Sequence, residues 1–296
     1  MPVGPDARAV VVIASAGRPH LLRTVIGDVD ALTGDGIEKV LSVPDAASLP
    51  DGVGEGDGWR IVTGTRGLAA QRNAAMDTLR GDPVVFFFDD DATIRRDYVV
   101  NALAFFGDHP SVVGVTGRVL LDGAVSGEVP VETARAALAA SSADPRTGAW
   151  TRARELYGCN FAVRTSGAPG LRFDSRLPLY SWLEDHDFAR RLMPYGVLAK
   201  VDDCVIVHRA AASGGGRQAH ERLGYSQVMN PYYLWRKGSF PFWLLLNETI
   251  KRVAKNLVYS VGGSEREWRR RRVHGNALAC ADIVRRRITP ERIAEL

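Results

Sequence analysis

Five apolar residues, 84–88, run directly into three consecutive carboxylates, Asp89, Asp90 and Asp91. An apolar run of this length that ends in charge is typical of a buried central strand in an α/β sheet. The carboxylates then lie at the carboxyl end of that strand, where open α/β sheets bind their ligands. Three adjacent negative charges repel one another unless they share a cation, and carboxylate oxygens suit Mg²⁺ or Mn²⁺. The sequence therefore predicts a metal-bridged phosphate or nucleotide site at this position.

The organisation of the chain changes near residue 216. Strand and helix patterns alternate over roughly the first 200 residues, which predicts an α/β fold whose mostly parallel central sheet is flanked by helices. After three consecutive glycines, 214–216, the patterns become helical and lack strands. We expect a nucleotide-binding and catalytic domain over residues 1–216 and a helical extension over residues 217–296. The predicted elements include a helix over 182–193 and two short strands over 197–201 and 205–207.

The basic charge is concentrated at the carboxyl end of the chain. Residues 251–296 hold 12 Lys and Arg against 5 Asp and Glu, whereas the preceding residues hold 26 against 29. We therefore expect the two parts to meet different partners. Three cysteines without metal-ligand spacing favour a reducing compartment over a disulfide framework. Because we recognise neither a secretory signal nor an apolar stretch of membrane-spanning length, we expect a cytoplasmic protein.

Aromatic and basic side chains interleave in the extension, between residues 225 and 259. This pattern is typical of a helix at an anionic membrane interface. It fits equally well helices that pack on the catalytic domain, or that form a homodimer. Peripheral contact with the inner face of the plasma membrane is therefore one of three alternatives. Nucleic acid is not an expected partner, because no recognised nucleic-acid-binding module accompanies the basic tail.

A second acidic cluster opens the helix predicted near residue 184. Glu184, Asp185 and Asp187 fall in its first turn, around His186. Acids in a first turn compensate the helix dipole, and this is the structural alternative. A carboxylate close to a cation-bound phosphate can also accept a proton from an incoming hydroxyl. Three acids and a histidine within four positions favour the catalytic interpretation.

The joint order of these motifs resembles that of a family-2 glycosyltransferase with the GT-A fold. The matching segments are, in chain order, the loop 14–19, the helix segment 67–75 that contains Arg72 and Asn73, the acids Asp89–Asp91, the glycine strand 157–164, the pair Glu184-Asp185, and His208. The resemblance covers roughly residues 9–235, and the order of the motifs is more specific than any one of them. It implies an enzyme that takes its sugar from a nucleoside diphosphate.

The resemblance also implies a role for each matching residue. Asp89 and Asp91 would hold Mg²⁺ or Mn²⁺ together with His208, and Asp185 would be the general base, with Glu184 as its acceptor-binding neighbour. The residues implied in binding the donor nucleotide are Asp45, Arg72, Asp89 and Asp90. The second strand lacks the family's usual polar run around Asp45, which weakens the case for that residue.

The glycine-rich segment 213–217 leads into a predicted helix, so Arg217 is a candidate phosphate contact at a helix N-terminus. A plain flexible connector is the alternative.

The predicted function is an inverting, metal-dependent transfer of a sugar from a UDP- or dTDP-sugar to a hydroxyl of a glycan or lipid-linked acceptor, as in polysaccharide or cell-envelope biosynthesis. Two alternatives stay open. The segment from Asp89 to Thr93 also satisfies the Asp-x-Asp-x-Thr pattern of haloacid-dehalogenase phosphohydrolases, with Lys200 as a later motif residue. A non-catalytic module that binds sugar nucleotides or glycans would keep Arg72 and the Asp-x-Asp pair without needing Asp185.

Overall fold

The computed structural model describes residues 8–142, 146–211 and 219–296. The strands in these ranges are β1 (Ala9–Ala14), β2 (Glu38–Val43), β3 (Trp59–Thr63), β4 (Val84–Asp89), β5 (Ala92–Ile94), β6 (Val112–Asp122), β7 (Trp150–Ala153), β8 (Asn160–Arg164) and β9 (Val197–His208). The helices are α1 (Pro19–Asp30), α2 (Leu68–Asp77), α3 (Tyr98–Asp108), α4 (Gly123–Ser126), α5 (Val131–Ser141), α6 (Glu184–Leu192), α7 (His220–Lys237), α8 (Phe242–Tyr259) and α9 (Arg266–Val284).

The strands form one mixed sheet in the order β3-β2-β1-β4-β8-β6-β9-β5, with β7 paired to β9. The pairs β1–β2, β2–β3, β1–β4 and β6–β9 are parallel, whereas β4–β8, β6–β8, β5–β9 and β7–β9 are antiparallel. The expected α/β architecture, a central sheet flanked by helices, is confirmed. The parallel arrangement is confined mainly to the amino-terminal half.

The central position of β4 follows from its sequence. Alternate side chains of a strand face opposite sides of the sheet, and β4 is apolar on both. Phe86 and Phe88 pack on the side covered by α1 and α3, whereas Val85 and Phe87 pack on the side covered by α2 and α6. Both layers are therefore filled, and the acids at the end of β4 lie on a rigid support.

The antiparallel strand β8 brings a second segment to the end of β4. Phe88 lies opposite Asn160, so the residues that enter β8 lie beside the acids. The Asp89 amide donates to the Cys159 carbonyl at 3.3 Å. The glycine strand of the sequence analysis thus adjoins the Asp-x-Asp segment.

The two short strands expected over 197–201 and 205–207 are one continuous strand, β9. Its pairing with β6 shifts register between Gly117 and Arg118. A Cβ at Gly117 would lie 2.3 Å from the Cys204 carbonyl oxygen, so only glycine allows this close approach. The end of β9 also pairs with β5, where His208 lies opposite Ala92.

The carboxyl-terminal helices α7, α8 and α9 pack together and on the sheet domain. Helices α7 and α9 cross closely at Gly224 and Gly275: a Cβ at Gly275 would lie 2.1 Å from the Glu221 carbonyl oxygen. A separate apolar cluster joins Leu177 and Leu183 to Leu234 and other α7 and α8 residues. Within the described ranges, no helix combines the length and apolar content needed to cross a bilayer.

Candidate active site

The acids at the end of β4 lie close to a histidine from β9. Asp89, Asp91 and His208 each offer a ligand atom, and these atoms lie within 4.8 Å of one another. His208 Nε2 lies 3.7 Å from Asp91 Oδ1. Two carboxylates and one imidazole form a donor set that fits Mn²⁺ or Mg²⁺. Burial and the neighbouring Asp91 raise the pKa of Asp89, against the attraction of Arg72.

The ring of His208 is oriented by a carboxylate behind it. Its Nδ1 lies 2.8 Å from Asp122 Oδ1, and the Tyr157 hydroxyl donates to Asp122 Oδ2 at 2.7 Å. Burial would raise the pKa of Asp122, but hydrogen bonds from Tyr157, the Ala124 amide and His208 outweigh it and lower that pKa. An anionic Asp122 holds the proton on Nδ1, which leaves Nε2 to face the acids.

The middle acid, Asp90, turns into the protein. It accepts hydrogen bonds from the Ser15 hydroxyl at 2.5 Å and from the Arg18 guanidinium. Burial raises the pKa of Asp90 to about 7, against the attraction of Arg18 and with repulsion from Asp91. Asp90 thus anchors the loop after β1 and places Arg18 3.8 Å from Asp91. Asp90 would therefore affect a bound donor only by positioning Arg18.

Arg72 connects the metal-ligand cluster to the acids that open α6. Its guanidinium donates to Glu184 Oε1 at 2.5 Å, to Asp89 Oδ1 at 3.1 Å and to the Gly158 carbonyl at 2.8 Å. Three phenyl rings, those of Phe87, Phe161 and Phe173, surround it with centroids 5.2–5.7 Å away. The residue is only 1% exposed. Arg72 therefore lies beneath the site and positions its acids, whereas the sequence analysis expected a nucleotide contact.

The predicted base, Asp185, is held at the start of α6. Its Oδ2 accepts the Gly158 amide at 2.9 Å and its Oδ1 accepts the His186 amide at 2.8 Å. A Cβ at Gly158 would lie 2.9 Å from Asp185 Oδ2, so a larger residue would displace the carboxylate. The preceding residue, Glu184, is buried, and this burial raises its pKa to about 8, against the attraction of Arg72.

These groups meet in a cavity of about 390 Å³, which we call the acid cavity. Its lining includes Asp89, Asp91, Tyr157, Trp182, Glu184, Asp185, His208 and Arg252. The acids from β4 and from α6 therefore face one space, as the sequence hypothesis requires.

A second cavity of about 450 Å³ adjoins the first, and we call it the basic cavity. Arg18, Asp89 and Trp182 line both. The loop after β1 and the start of α2 form one wall, with Arg66. The extension supplies another, with Ala219, Arg222 and Ile293. Guanidinium groups bind phosphate, and the neighbouring acids can bind a cation. The pair of cavities therefore suits a phosphate ligand that carries a cation.

Asp45, which was predicted to bind the donor, lies elsewhere. Asp45 caps the short helix after β2, where its Oδ1 accepts the Ser48 amide at 3.0 Å and the Ser48 hydroxyl at 2.8 Å. It is not among the described residues that line the two cavities. Arg217 lies outside the described residues. Lys200, which the phosphohydrolase alternative needs, is exposed on β9 and also lines neither cavity.

Several residues that line the two cavities, or that support the residues lining them, were not predicted from the sequence. Arg18 follows β1 and Arg66 precedes α2, so both stand at the carboxyl side of parallel strands, where ligand groups are expected. Asp122 ends β6, and the same rule could have marked it. Arg222 lies in the extension, where no sequence signal distinguished it from the other arginines.

Comparisons with known proteins agree with the fold. A family model described as glycosyl transferase family 2 matches residues 46–139. The fold is similar to that of the mannosyltransferase PcManGT from Pyrobaculum calidifontis, solved with GDP-Man and Mn²⁺: TM-score 0.57 and 16% identity, over 96% of this chain and 89% of that one. It is also similar to residues 1–349 of S. aureus TarS, with TM-score 0.54 and 14% identity, over 97% and 82% of the two chains. A search of curated proteins finds no match.

Proposed function

We propose that this chain, a family-2 glycosyltransferase with the GT-A fold, moves a sugar from a nucleoside diphosphate to a hydroxyl of a glycan or lipid-linked acceptor, with inversion. The observation that carries the proposal is the meeting of two acid groups in the acid cavity. One comes from β4 with His208 and the other from the start of α6. The first suits a metal-bound diphosphate and the second suits a hydroxyl that must lose its proton.

On the donor side, the basic cavity would take the nucleotide. Arg18, Arg66 and Arg222 line it and present guanidinium groups to the diphosphate oxygens. Asp89, Asp91 and His208 would hold Mg²⁺ or Mn²⁺ where the two cavities join. When bound, the divalent cation neutralises charge that develops on the departing diphosphate.

On the acceptor side, Asp185 would act as the general base. Two backbone amides fix its carboxylate, so it can accept the proton of an acceptor hydroxyl in a defined direction. The acceptor oxygen forms a bond to the anomeric carbon while the bond from that carbon to the diphosphate breaks. The bonding electrons leave with the diphosphate, and the attack from the opposite face inverts the configuration. Trp182, which lines both cavities, offers an indole ring between donor and acceptor.

The decisive variant is Asp185→Asn, which keeps the shape of the side chain and removes its basicity. Donor turnover, measured as release of nucleoside diphosphate, should fall about 10²–10⁴-fold. The matched control is Glu155→Gln. It neutralises an exposed carboxylate that pairs with His186, the residue that follows Asp185. The control should keep normal turnover. Unchanged turnover in Asp185→Asn would contradict the assignment of the base.

Donor binding is tested separately by thermal shift. UDP, dTDP and GDP are compared with and without Mn²⁺, because ligands that bind the native state raise the apparent stability. We propose UDP or dTDP on the sequence resemblance, and PcManGT, solved with GDP-Man, gives the reason to include GDP. Asp185→Asn should keep the wild-type shift. A protein that responds to none of these nucleotides would refute the donor assignment, and a product of retained configuration by NMR would refute inversion.

A further inference from the structure

One side of α8 is an apolar surface that faces away from the rest of the protein. We call it the α8 outer face; its residues are Phe242, Trp243, Leu246, Ile250, Leu257 and Val258. Each is between 40 and 67% exposed. At 100° per residue they fall on one continuous arc along the full length of the helix. Leu244, Leu245 and Asn256 lie on the opposite side and are buried. Contiguous apolar surface of this kind marks an interaction site.

The charges beside the α8 outer face are positive. Lys251 and Lys255 are exposed at its edge. The one acid in α8, Glu248, is buried and pairs with Arg252 at 2.8 Å. At the amino-terminal end, Phe242 packs on Trp235 with ring centroids 5.7 Å apart. Exposed aromatic and aliphatic side chains with lysines at their border form the pattern of an interfacial helix.

We propose that the α8 outer face docks on an anionic lipid bilayer, with α8 lying flat in the headgroup region. The protein covers the opposite side of the helix, so only the outer arc can enter the lipid. A negatively charged surface complements Lys251 and Lys255. A second copy of the chain fits less well, because a symmetric contact through this face would bring the lysine edges of two copies together without exposed acids on α8 to pair with them.

The acid cavity is joined to the same helix. Arg252 of α8 lines that cavity and stacks over the Trp182 ring at 4.8 Å. Docking would therefore fix the orientation of the acid cavity relative to the bilayer, which suits an acceptor hydroxyl carried on a lipid. This link to a lipid-borne acceptor rests on the proposed function, whereas membrane binding by itself does not.

The experiment is flotation of the full-length protein with vesicles, without any sugar nucleotide. Vesicles of phosphatidylcholine mixed with phosphatidylglycerol should carry the wild-type protein, and those of phosphatidylcholine alone should carry much less. Ile250→Glu and Trp243→Glu should each weaken binding at least about tenfold, because each removes apolar burial and adds a negative charge. Lys251→Gln and Lys255→Gln should each weaken binding to the anionic vesicles about fivefold.

The matched control is Val284→Glu, an equivalent change at an exposed residue at the end of α9. It should bind vesicles as the wild type does. Since these side chains are exposed, all variants should keep the wild-type melting temperature. Wild-type protein that fails to float with anionic vesicles would overturn the proposal. So would a dimer in solution that Ile250→Glu converts to monomer, because a second copy would then cover the face. Flotation tests the docking proposal, and the turnover of Asp185→Asn tests the proposed function. Either proposal can therefore fail without the other.

Discussion

Replacing Arg72 by methionine should destabilise the fold through the charges that it leaves behind. The guanidinium is 1% exposed and donates to Glu184, Asp89 and the Gly158 carbonyl. Methionine keeps an apolar stem against the three phenyl rings but removes all of these hydrogen bonds. Breaking a buried ion pair by removing one partner costs about 3–5 kcal/mol of unfolding free energy. We expect a loss of that size at about pH 9, where Glu184 is ionised, and a smaller loss at neutral pH.

The loss should also depend on pH. The pKa of Glu184 is already raised to about 8, and loss of the neighbouring cation raises it further. A carboxyl group whose folded pKa exceeds its unfolded pKa favours the folded state at low pH. This contribution declines as pH rises from the unfolded to the folded pKa. In Arg72→Met this decline extends to higher pH than in the wild type, so the variant should lose more stability at about pH 9 than at about pH 5.5.

Urea denaturation at both pH values measures these differences. Arg172→Met is the control, since it removes an exposed arginine that pairs with Asp77 and should cost about 1 kcal/mol or less. A double-mutant cycle with Glu184→Gln isolates the charge effect: when Glu184→Gln is already present, no carboxylate is stranded at that position, so Arg72→Met should cost less. If the two changes add within about 0.5 kcal/mol and the loss is the same at both pH values, Arg72 acts through packing and the reasoning fails.

Two further changes test the support of the metal ligands and the contact between helices. Asp122→Asn should weaken Mn²⁺ binding about 10–100-fold in calorimetric titration, because it no longer fixes the His208 ring; unchanged affinity would contradict the orienting role. Gly275→Ala should lower the unfolding free energy by about 1–3 kcal/mol or more, because its Cβ would lie 2.1 Å from the Glu221 carbonyl oxygen. Gly262→Ala, where nothing lies within 4 Å of the new atom, should not.

The fold was predictable where the chain carries a long local pattern. Strand β4 could be predicted because a strand that is buried on both faces is a nearly continuous apolar run, and the acids directly follow that run. Strands β5 and β7 were missed, because segments of three and four residues show no periodicity and exist here only by pairing with β9. The helix expected over 182–193 begins at Glu184. Leu183 has a φ of 73°, a left-handed conformation that is uncommon for leucine and that the sequence does not indicate.

The sequence indicated which residues line the site better than it indicated how those residues contact one another. Asp89, Asp91 and Asp185 line the acid cavity together with His208, as the motif order indicated. Arg72 was expected at the ligand, and its burial could not be anticipated, because the three rings that enclose it come from β4, β8 and the segment before α6. Asp122 lies 86 positions from His208 in the chain, so their contact depends on the pairing of β6 with β9.

The basic cavity is closed on one side by Ala219, Arg222 and Ile293, which all belong to the carboxyl-terminal extension. The sheet and the carboxyl-terminal helices therefore form this cavity together. A chain cut before α7 would keep the acids of the acid cavity and lose one wall of the basic cavity. A substitution in the extension can therefore change the shape of the basic cavity as directly as one in the loop after β1.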